Sequence, residues 1–329
     1  MTSFDEDELC FPQLLNASCR KVKLPDHEPL LSYIILSFIS IVTVILNMLV
    51  IISITHFKQL HTPTNLLLLS LAVSDCIVGL MLLFQIDLID GCWFSGDIIC
   101  VVHYAMGSVI SSASIGTMVL ISIDRYLAIC DPLHYSTKVT VKRINICVCL
   151  CWMFSVLVHC LMLKDYLEQP GRYNTCVGQC VITLDPVSGL ADSILSFIIP
   201  VTIIVVLYMR VFVVAVSQAR AMRSHITSVT IKCSKKGTAK KSELKAAITL
   251  GVVVVVFLIC VCPFFCIMLS GQNSILNVKS SIFVITLFTF NSCLNPLIYA
   301  LFYPWFRKSI KLIVTLRILR VDSLDTSKL

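Results

Sequence analysis

The chain has 329 residues, of which 57% are hydrophobic and 14% charged, with a formal net charge of +7 and a mean hydropathy of +0.91. Soluble domains carry about 25% charged residues, and a soluble globule has nowhere to hide this much apolar surface, so the composition calls for several membrane spans. It excludes a cytosolic enzyme, a nucleic-acid binder and a disordered chain.

A spanning helix needs about 20 mostly apolar residues, because in hydrocarbon every backbone amide must bond within its own segment. The first 30 residues are acidic and polar and lack the basic tip and apolar run of a cleavable signal peptide; they are expected to form an N-terminal segment. Seven spans follow, at Leu31–Thr55, Thr64–Ile86, Ile99–Ile123, Asn145–Leu163, Leu190–Val213, Ala246–Ser270 and Ser280–Phe302. The third meets the triplet Asp124-Arg125-Tyr126, and its helix is expected to run on past it. Between the fifth and sixth, a loop from about Val214 to Lys245 carries Arg220, Arg223, Lys232, Lys235, Lys236, Lys240, Lys241 and Lys245. Such a run either holds anionic lipid or docks an intracellular partner. Tyr303-Pro304-Trp305-Phe306-Arg307-Lys308 then opens an amphipathic stretch suited to the membrane interface. The expected architecture is an all-α membrane protein: an N-terminal segment 1–30, a seven-helix bundle 31–302, and an amphipathic helix with a cytoplasmic tail, 303–329.

Charge gives the orientation. With the N-terminus outside, the inner side holds 20 of the 26 Lys and Arg against 5 acids, and the outer side 6 basic against 12 acidic residues. Lys and Arg concentrate on the cytoplasmic side of membrane proteins, so a multi-pass plasma-membrane protein with an extracellular N-terminus is expected. Asn16-Ala17-Ser18 is then a glycosylation triplet on the side where it is used. Six of the 17 cysteines fall outside: Cys10, Cys19, Cys92, Cys100, Cys176 and Cys180. Extracellular space permits full pairing, but spacing alone leaves the connectivity open. Cys147, Cys149, Cys151, Cys260 and Cys262 lie in spans, where cysteine is a small apolar packing residue. Cys147-Val148-Cys149 has no further ligand near it, so no metal is expected there.

Polar groups inside spans are costly, and therefore informative. Asp75 in the second span, Asn47 in the first, and Asn291 and Asn295 in the seventh are expected to form one polar cluster around water or a sodium-like cation, or a structural hydrogen-bond network. Asp124 and Arg125, at the inner end of the third span, form a local ion pair able to change partners. Asp192 lies 18 residues before Arg210, which places it ~27 Å above the inner boundary at about 1.5 Å per residue, in the outer third of the bilayer. Gly107 lies equally far before Arg125 and shares that depth. No basic residue is expected there in any span, so the simplest partner for the Asp192 carboxylate is a cation from outside, and a protonated amine fits. Asp87 and Asp90 sit higher, as vestibule residues that attract cations or are merely solvated. Pro263 kinks the sixth span; Phe264 and Phe265 after it are candidates to flank an ammonium or to pack in the core. Ser108, Ser111 and Ser112, with Thr289 opposite, suit the pocket wall or close helix packing.

These marks together resemble rhodopsin-like G-protein-coupled receptors across all seven spans: Asn47, Leu71-Ala72-Val73-Ser74-Asp75, Asp124-Arg125-Tyr126, Trp152, Pro200 and Tyr208, Phe257 and Pro263, and Asn295-Pro296-Leu297-Ile298-Tyr299. Within that class the chain resembles trace amine-associated receptors, through the run from Asn291 to Lys308 and through Cys176-Val177-Gly178-Gln179-Cys180. The resemblance implies a Cys100–Cys180 disulfide. It also suggests Cys10–Cys176 and Cys19–Cys92, a pair of bridges open to exchange. It further implies sensory detection of amines in olfactory neurons and coupling to a stimulatory or olfactory heterotrimeric G protein and cyclic AMP, with no cofactor.

Two departures stand out. The aspartate by which aminergic receptors hold an ammonium in the third span is Gly107 here, and a carboxylate appears in the fifth span instead, as Asp192; some fish members show the same exchange. The family's sixth-span tryptophan is Val261. On this reading an amine pairs with Asp192, the inner ends of the fifth and sixth spans part, and Arg125 exchanges Asp124 for Tyr208. No bond is broken, so the chain is not an enzyme. A monoamine neurotransmitter receptor is the alternative, and a transporter a weaker one, since five of the seven spans lack any Asp, Glu, Lys or Arg.

Overall fold

A computed structural model describes residues 9–14, 16–21, 28–86, 91–182, 185–226, 235–269 and 278–315. Among them are eleven α-helices: α1 (Glu28–His56), α2 (Pro63–Ile86), α3 (Asp97–Cys130), α4 (Pro132–Lys138), α5 (Val141–Met162), α6 (Lys164–Glu168), α7 (Pro186–Ser193), α8 (Ile199–Ile226), α9 (Lys235–Leu269), α10 (Val278–Phe302) and α11 (Pro304–Val314). A π-helical turn, Ile194–Ile198, joins α7 to α8 into one rod, and a 3-10 turn, Lys58–Leu60, follows α1. Five stretches have the length and apolar composition to cross a membrane: Leu30–His56, Pro63–Phe84, Asp97–Cys130, Val141–Met162 and Pro186–Val214; Gly251–Ile267 of α9 is a shorter apolar helix. With α10 they make the expected seven rods. Asp87, Asp90 and the side chains of the basic loop lie outside the described residues.

The bundle is inverted relative to a soluble protein. Phe38, Met153 and Phe212 stand 67%, 65% and 63% exposed, while Asn47, Ser74, Asp75 and Asn295 are buried to 1% or less. Apolar side chains facing outward gain nothing from water and suit lipid, whereas polar groups turned inward satisfy one another. Trp152 Nε1 donates to Ser70 Oγ (3.2 Å), Ser114 Oγ to Ser74 Oγ (2.8 Å) and Ser40 Oγ to the Gly79 carbonyl (2.7 Å). Glycine at 79 permits the last contact: a Cβ there would stand 2.9 Å from Val44 Cγ2, so α1 and α2 approach with almost no side chain between them.

Helix ends differ from the expected spans where capping chemistry intervenes. α3 runs past the triplet to Cys130. α7 starts at Pro186 rather than Leu190, because the Asp185 carboxylate caps it, accepting from Val187 N (3.1 Å) and Ser188 N (2.9 Å). Those bonds hold the Asp185 carboxyl below the usual carboxylate range. After α3, Lys138 Nζ (2.8 Å) and His134 Nδ1 (2.7 Å) bracket the Asp131 carboxylate and hold it down at about 2.

The disulfides correct one expectation. Cys100 pairs with Cys180 (Cα–Cα 5.7 Å), but Cys10 pairs with Cys92 (5.6 Å) and Cys19 with Cys176 (5.1 Å), in place of Cys10–Cys176 and Cys19–Cys92. Backbone pairing decides the exchange. Cys19 N donates to the Val177 carbonyl and Val177 N to the Ala17 carbonyl, at 2.9 and 2.7 Å, which sets Cys19 beside Cys176. Trp93 N donates to the Gly178 carbonyl at 2.8 Å, which brings Cys92 to the other side of that turn. Gly178 has φ +97°, and a Cβ on it would stand 3.2 Å from Cys10 Cβ; the turn therefore needs glycine twice over. Peptide mapping of the unreduced protein is expected to recover fragments linked 10–92 and 19–176; fragments linked 10–176 or 19–92 would contradict this arrangement.

Candidate functional site

The fifth rod changes its winding where the sequence places its one acid. At Ile194–Ile198 it is a π-helix, closed by a hydrogen bond from Ile199 N to the Ile194 carbonyl. One extra residue in a turn rotates everything before it by about 100° relative to the helix beyond. Asp192 stands just before this bulge. Ser196, within it, donates from Oγ to Asp192 Oδ1 at 2.8 Å.

The expectation that no basic residue shares the depth of Asp192 does not hold. His159 of α5 is 4% exposed and points its Nε2 at Asp192 Oδ1, 3.3 Å away. Its Nδ1 lies 2.8 Å from the Ser155 carbonyl oxygen. A carbonyl only accepts, so Nδ1 carries a proton. The approach of Nε2 to a carboxylate oxygen is attractive only if one further proton lies between them, on either atom. The Ser155 hydroxyl in turn reaches Ser112 Oγ of α3, at 3.3 Å. A polar chain thus runs from Ser112 through Ser155 and His159 to Asp192 and Ser196, across three rods. The Asp192 side chain stays 25% exposed, so its carboxylate is held at one oxygen and still reachable.

Around it, the other candidates divide. Gly107 leaves room for a side chain: a Cβ there meets only Met81 Cε, at 3.6 Å. Ser108 is half-buried beside it. Phe265 stacks on Phe197 with centroids 4.1 Å apart and planes 5° apart; Phe264 meets Phe265 edge-on at 5.3 Å and Phe288 at 5.1 Å. Phe197 directly follows Ser196, so the bulge carries both a member of the aromatic cluster and the hydroxyl that holds the carboxylate. Thr289, next to Phe288, is buried and donates from Oγ1 to the Thr286 carbonyl at 3.0 Å. Ser111 lines a different, small cavity, with Asp75, Ser114, Phe257, Val261 and Asn291.

That cavity belongs to the polar cluster. Asn295 Nδ2 donates to Asp75 Oδ2 at 2.8 Å, and Asn47 Nδ2 to the Ser292 carbonyl at 3.0 Å. The structure brings Asn47, Asp75, Asn291 and Asn295 to one level of the bundle. Pro296 breaks the hydrogen-bond ladder of α10 within this stretch, and Tyr299, one turn on, is fully buried.

At the opposite end from the disulfides, Asp124 gathers its neighbours. Its Oδ2 accepts from Arg125 Nε (3.0 Å), from the Arg125 Nη2 and from Thr64 Oγ1 (2.9 Å), and its Oδ1 from Tyr135 Oη (2.7 Å). Arg125 also donates to Thr64 Oγ1 at 2.6 Å. Tyr126, next along, is half-buried and packs with Ile129 and Val211. The Tyr208 and Tyr299 hydroxyls are buried without a hydrogen bond among the described residues.

Sequence reasoning missed His159, Ser196, Phe197 and Thr64. His159 and Ser196 carried a signal as polar groups within apolar runs; Phe197 carried none.

The chain matches the 7 transmembrane receptor (rhodopsin family) over residues 46–299. Over 338 residues it is 36% identical to trace amine-associated receptor 13c of Danio rerio, covering 98% of this chain and 96% of that one. It is 34% identical to trace amine-associated receptor 4 of Mus musculus, covering 99% and 96%, and 35% identical to trace amine-associated receptor 1 of Homo sapiens, covering 94% and 95%. The chain belongs to the rhodopsin family of seven-transmembrane receptors and, within it, to the trace amine-associated receptors.

Removing the ring in His159→Ala is expected to leave the carboxylate with Ser196 alone, at a cost of roughly 1–3 kcal/mol, read as a lower melting temperature of the purified protein. His159→Gln, whose amide reaches the same oxygen, is expected to recover most of it. A His159→Ala protein that melts with wild type would show that the pair does not matter to stability.

Proposed function

We propose that this receptor sits in the plasma membrane with its N-terminus outside, glycosylated at Asn16, and detects amines as an olfactory receptor coupled to a stimulatory G protein and cyclic AMP. The ligand ammonium pairs with Asp192. The observation that carries this reading is a carboxylate within an apolar bundle, tethered at one oxygen and one-quarter exposed, in a chain that has Gly107 where aminergic receptors keep their acid. The names of the relatives support the ligand class.

A carboxylate in this setting discriminates by charge, because an uncharged ligand offers nothing to offset its desolvation. Phe264, Phe265 and Thr289 close the site from the sixth and seventh spans, and Ser108 from the third. Ser111 acts lower down, with Asp75, Asn47, Asn291 and Asn295, where the cluster holds water or a cation.

Activation is a shift in population toward the state that binds the amine better. In the resting arrangement Arg125 is occupied by Asp124 and Thr64. On opening, it leaves them for Tyr208, whose hydroxyl is buried and free of hydrogen bonds among the described residues, and a cavity opens for the G protein. Pro296 and Tyr299 carry the movement in the seventh span. Nothing in this sequence of events makes or breaks a covalent bond.

In cells reporting cyclic AMP, a panel of amines is expected to activate wild type, and Asp192→Ala is expected to lose the response by at least about 100-fold in potency, the ~3 kcal/mol typical of a lost buried charge pair, with surface expression intact. Unchanged potency in that variant would refute the anchor. Asp124→Asn is expected to raise ligand-independent cyclic AMP by releasing Arg125, and Tyr208→Phe to lower the agonist maximum. A silent Asp124→Asn receptor at normal surface density would contradict the exchange of partners.

A further inference from the structure

The carboxylate assigned to the amine lies against a titratable imidazole. With Nδ1 committed to Ser155, the 3.3 Å approach of His159 Nε2 to Asp192 Oδ1 has one titratable proton between the two atoms. Whichever atom holds it, the pair as a whole is neutral with that proton and carries one negative charge without it. A cation docking on Asp192 is attracted to the second state far more than to the first, because in a weakly polarisable interior the charge of the pair is not masked by solvent.

We propose that the proton shared by His159 and Asp192 is the competitor an amine must displace, so that His159 sets the cation affinity of the pocket according to outside pH. This rests on the reading of Asp192 as the ammonium anchor. Geometry isolates the pair well enough for one proton to matter. His159 is buried, and among the described residues its partners are Ser155 and Asp192, and those of Asp192 are His159 and Ser196. Among the described residues, the other titratable group that the Asp192 charge reaches from a neighbouring helix is a phenol, Tyr104 of α3. His103 of α3 turns elsewhere, onto Phe84 and Trp93. Among the described residues, the ion pair of Lys164 with Glu168 on α6 is on the exposed surface. An alkylamine keeps its own proton up to about pH 10, so a change of affinity over the range where imidazoles titrate, about pH 5 to 8, comes from the receptor.

Linkage fixes the sign. If binding expels one proton, affinity rises with pH by up to about tenfold per unit below the titration point of the pair, and levels off above it. Once the pair has lost its proton, the amine meets the full negative charge.

The test is binding of primary alkylamines, butylamine to octylamine, to the purified full-length receptor in lipid nanodiscs from about pH 5.5 to about pH 7.5, for wild type, His159→Gln and Asp192→Asn. His159→Gln keeps a donor toward Oδ1 but cannot titrate; His159→Asn serves as a second variant should the glutamine not fold. The expected result is a wild-type affinity that rises with pH while the His159 variants are flat and bind more tightly than wild type at the acid end. A wild-type slope that persists in both His159 variants, or no slope in wild type, overturns this proposal and leaves the anchor standing, provided Asp192→Asn has lost the alkylamines. Alkylamine binding that survives in Asp192→Asn, or that is absent from wild type at every pH, overturns the anchor reading and this inference with it.

Discussion

A carboxylate between helices in hydrocarbon must be answered by something, and most of what distinguishes this receptor follows from how Asp192 is answered. Left alone it would cost several kcal/mol or give up its charge. The structure answers it from within, through His159 and Ser196, and leaves part of it open. An acid fully satisfied from inside has no affinity to offer a ligand, and an acid with no internal partner would destabilise the bundle. One held by a titratable imidazole on one side and open on the other is compatible with both folding and recognition. The π turn after Asp192 makes the arrangement possible, because a regular helix would aim Asp192, Ser196 and Phe197 differently.

The same logic runs through the rest of the interior. Asp75 is answered by Asn295, and Asp124 by Arg125, Thr64 and Tyr135. Each acid sits at a different depth, each with partners from at least one other helix. In a membrane the exterior gives helices no hydrophobic reason to associate, so these polar contacts, together with close approaches such as that at Gly79, take a larger share in fixing which helices are neighbours. The disulfides do the corresponding work at the polar end, where Cys10–Cys92 and Cys19–Cys176 tie the N-terminal segment to two separate loops.

Much of this was legible in the residue order. Length and apolarity mark the spans, because hydrocarbon imposes a fixed thickness. A single acid within an apolar run stands out, as Asp75 and Asp192 do, and Asp124 stands out through the Asp124-Arg125-Tyr126 triplet at the inner end of the third span. The partners of those acids were not legible to the same degree. His159 is not legible as that partner, because an imidazole interrupts an apolar run less than lysine or arginine does, and because its facing Asp192 depends on the π turn and on helix rotation, neither of which leaves a mark in helices that are apolar on every side. Ser111 lies close to Ser108 in sequence, yet three residues along a helix lower it by about 4.5 Å, enough to move it to the Asp75 cavity. Residue order leaves the two outer disulfides open to exchange, because spacing does not encode which strand of a loop lies nearer; the backbone bonds of Val177 and Gly178 do.

Recognition through Asp192 turns on the position of one nitrogen. A structure of the receptor with an activating amine bound would measure the distance from that nitrogen to the Asp192 carboxylate directly. An ammonium paired with Asp192 lies at about 3 Å, the length of a charge-assisted hydrogen bond, with the Phe264–Phe265 cluster nearby. An amine nitrogen resting beside Asp75, or against Gly107 and away from Asp192, would contradict the mode of recognition while leaving the seven-helix receptor itself untouched.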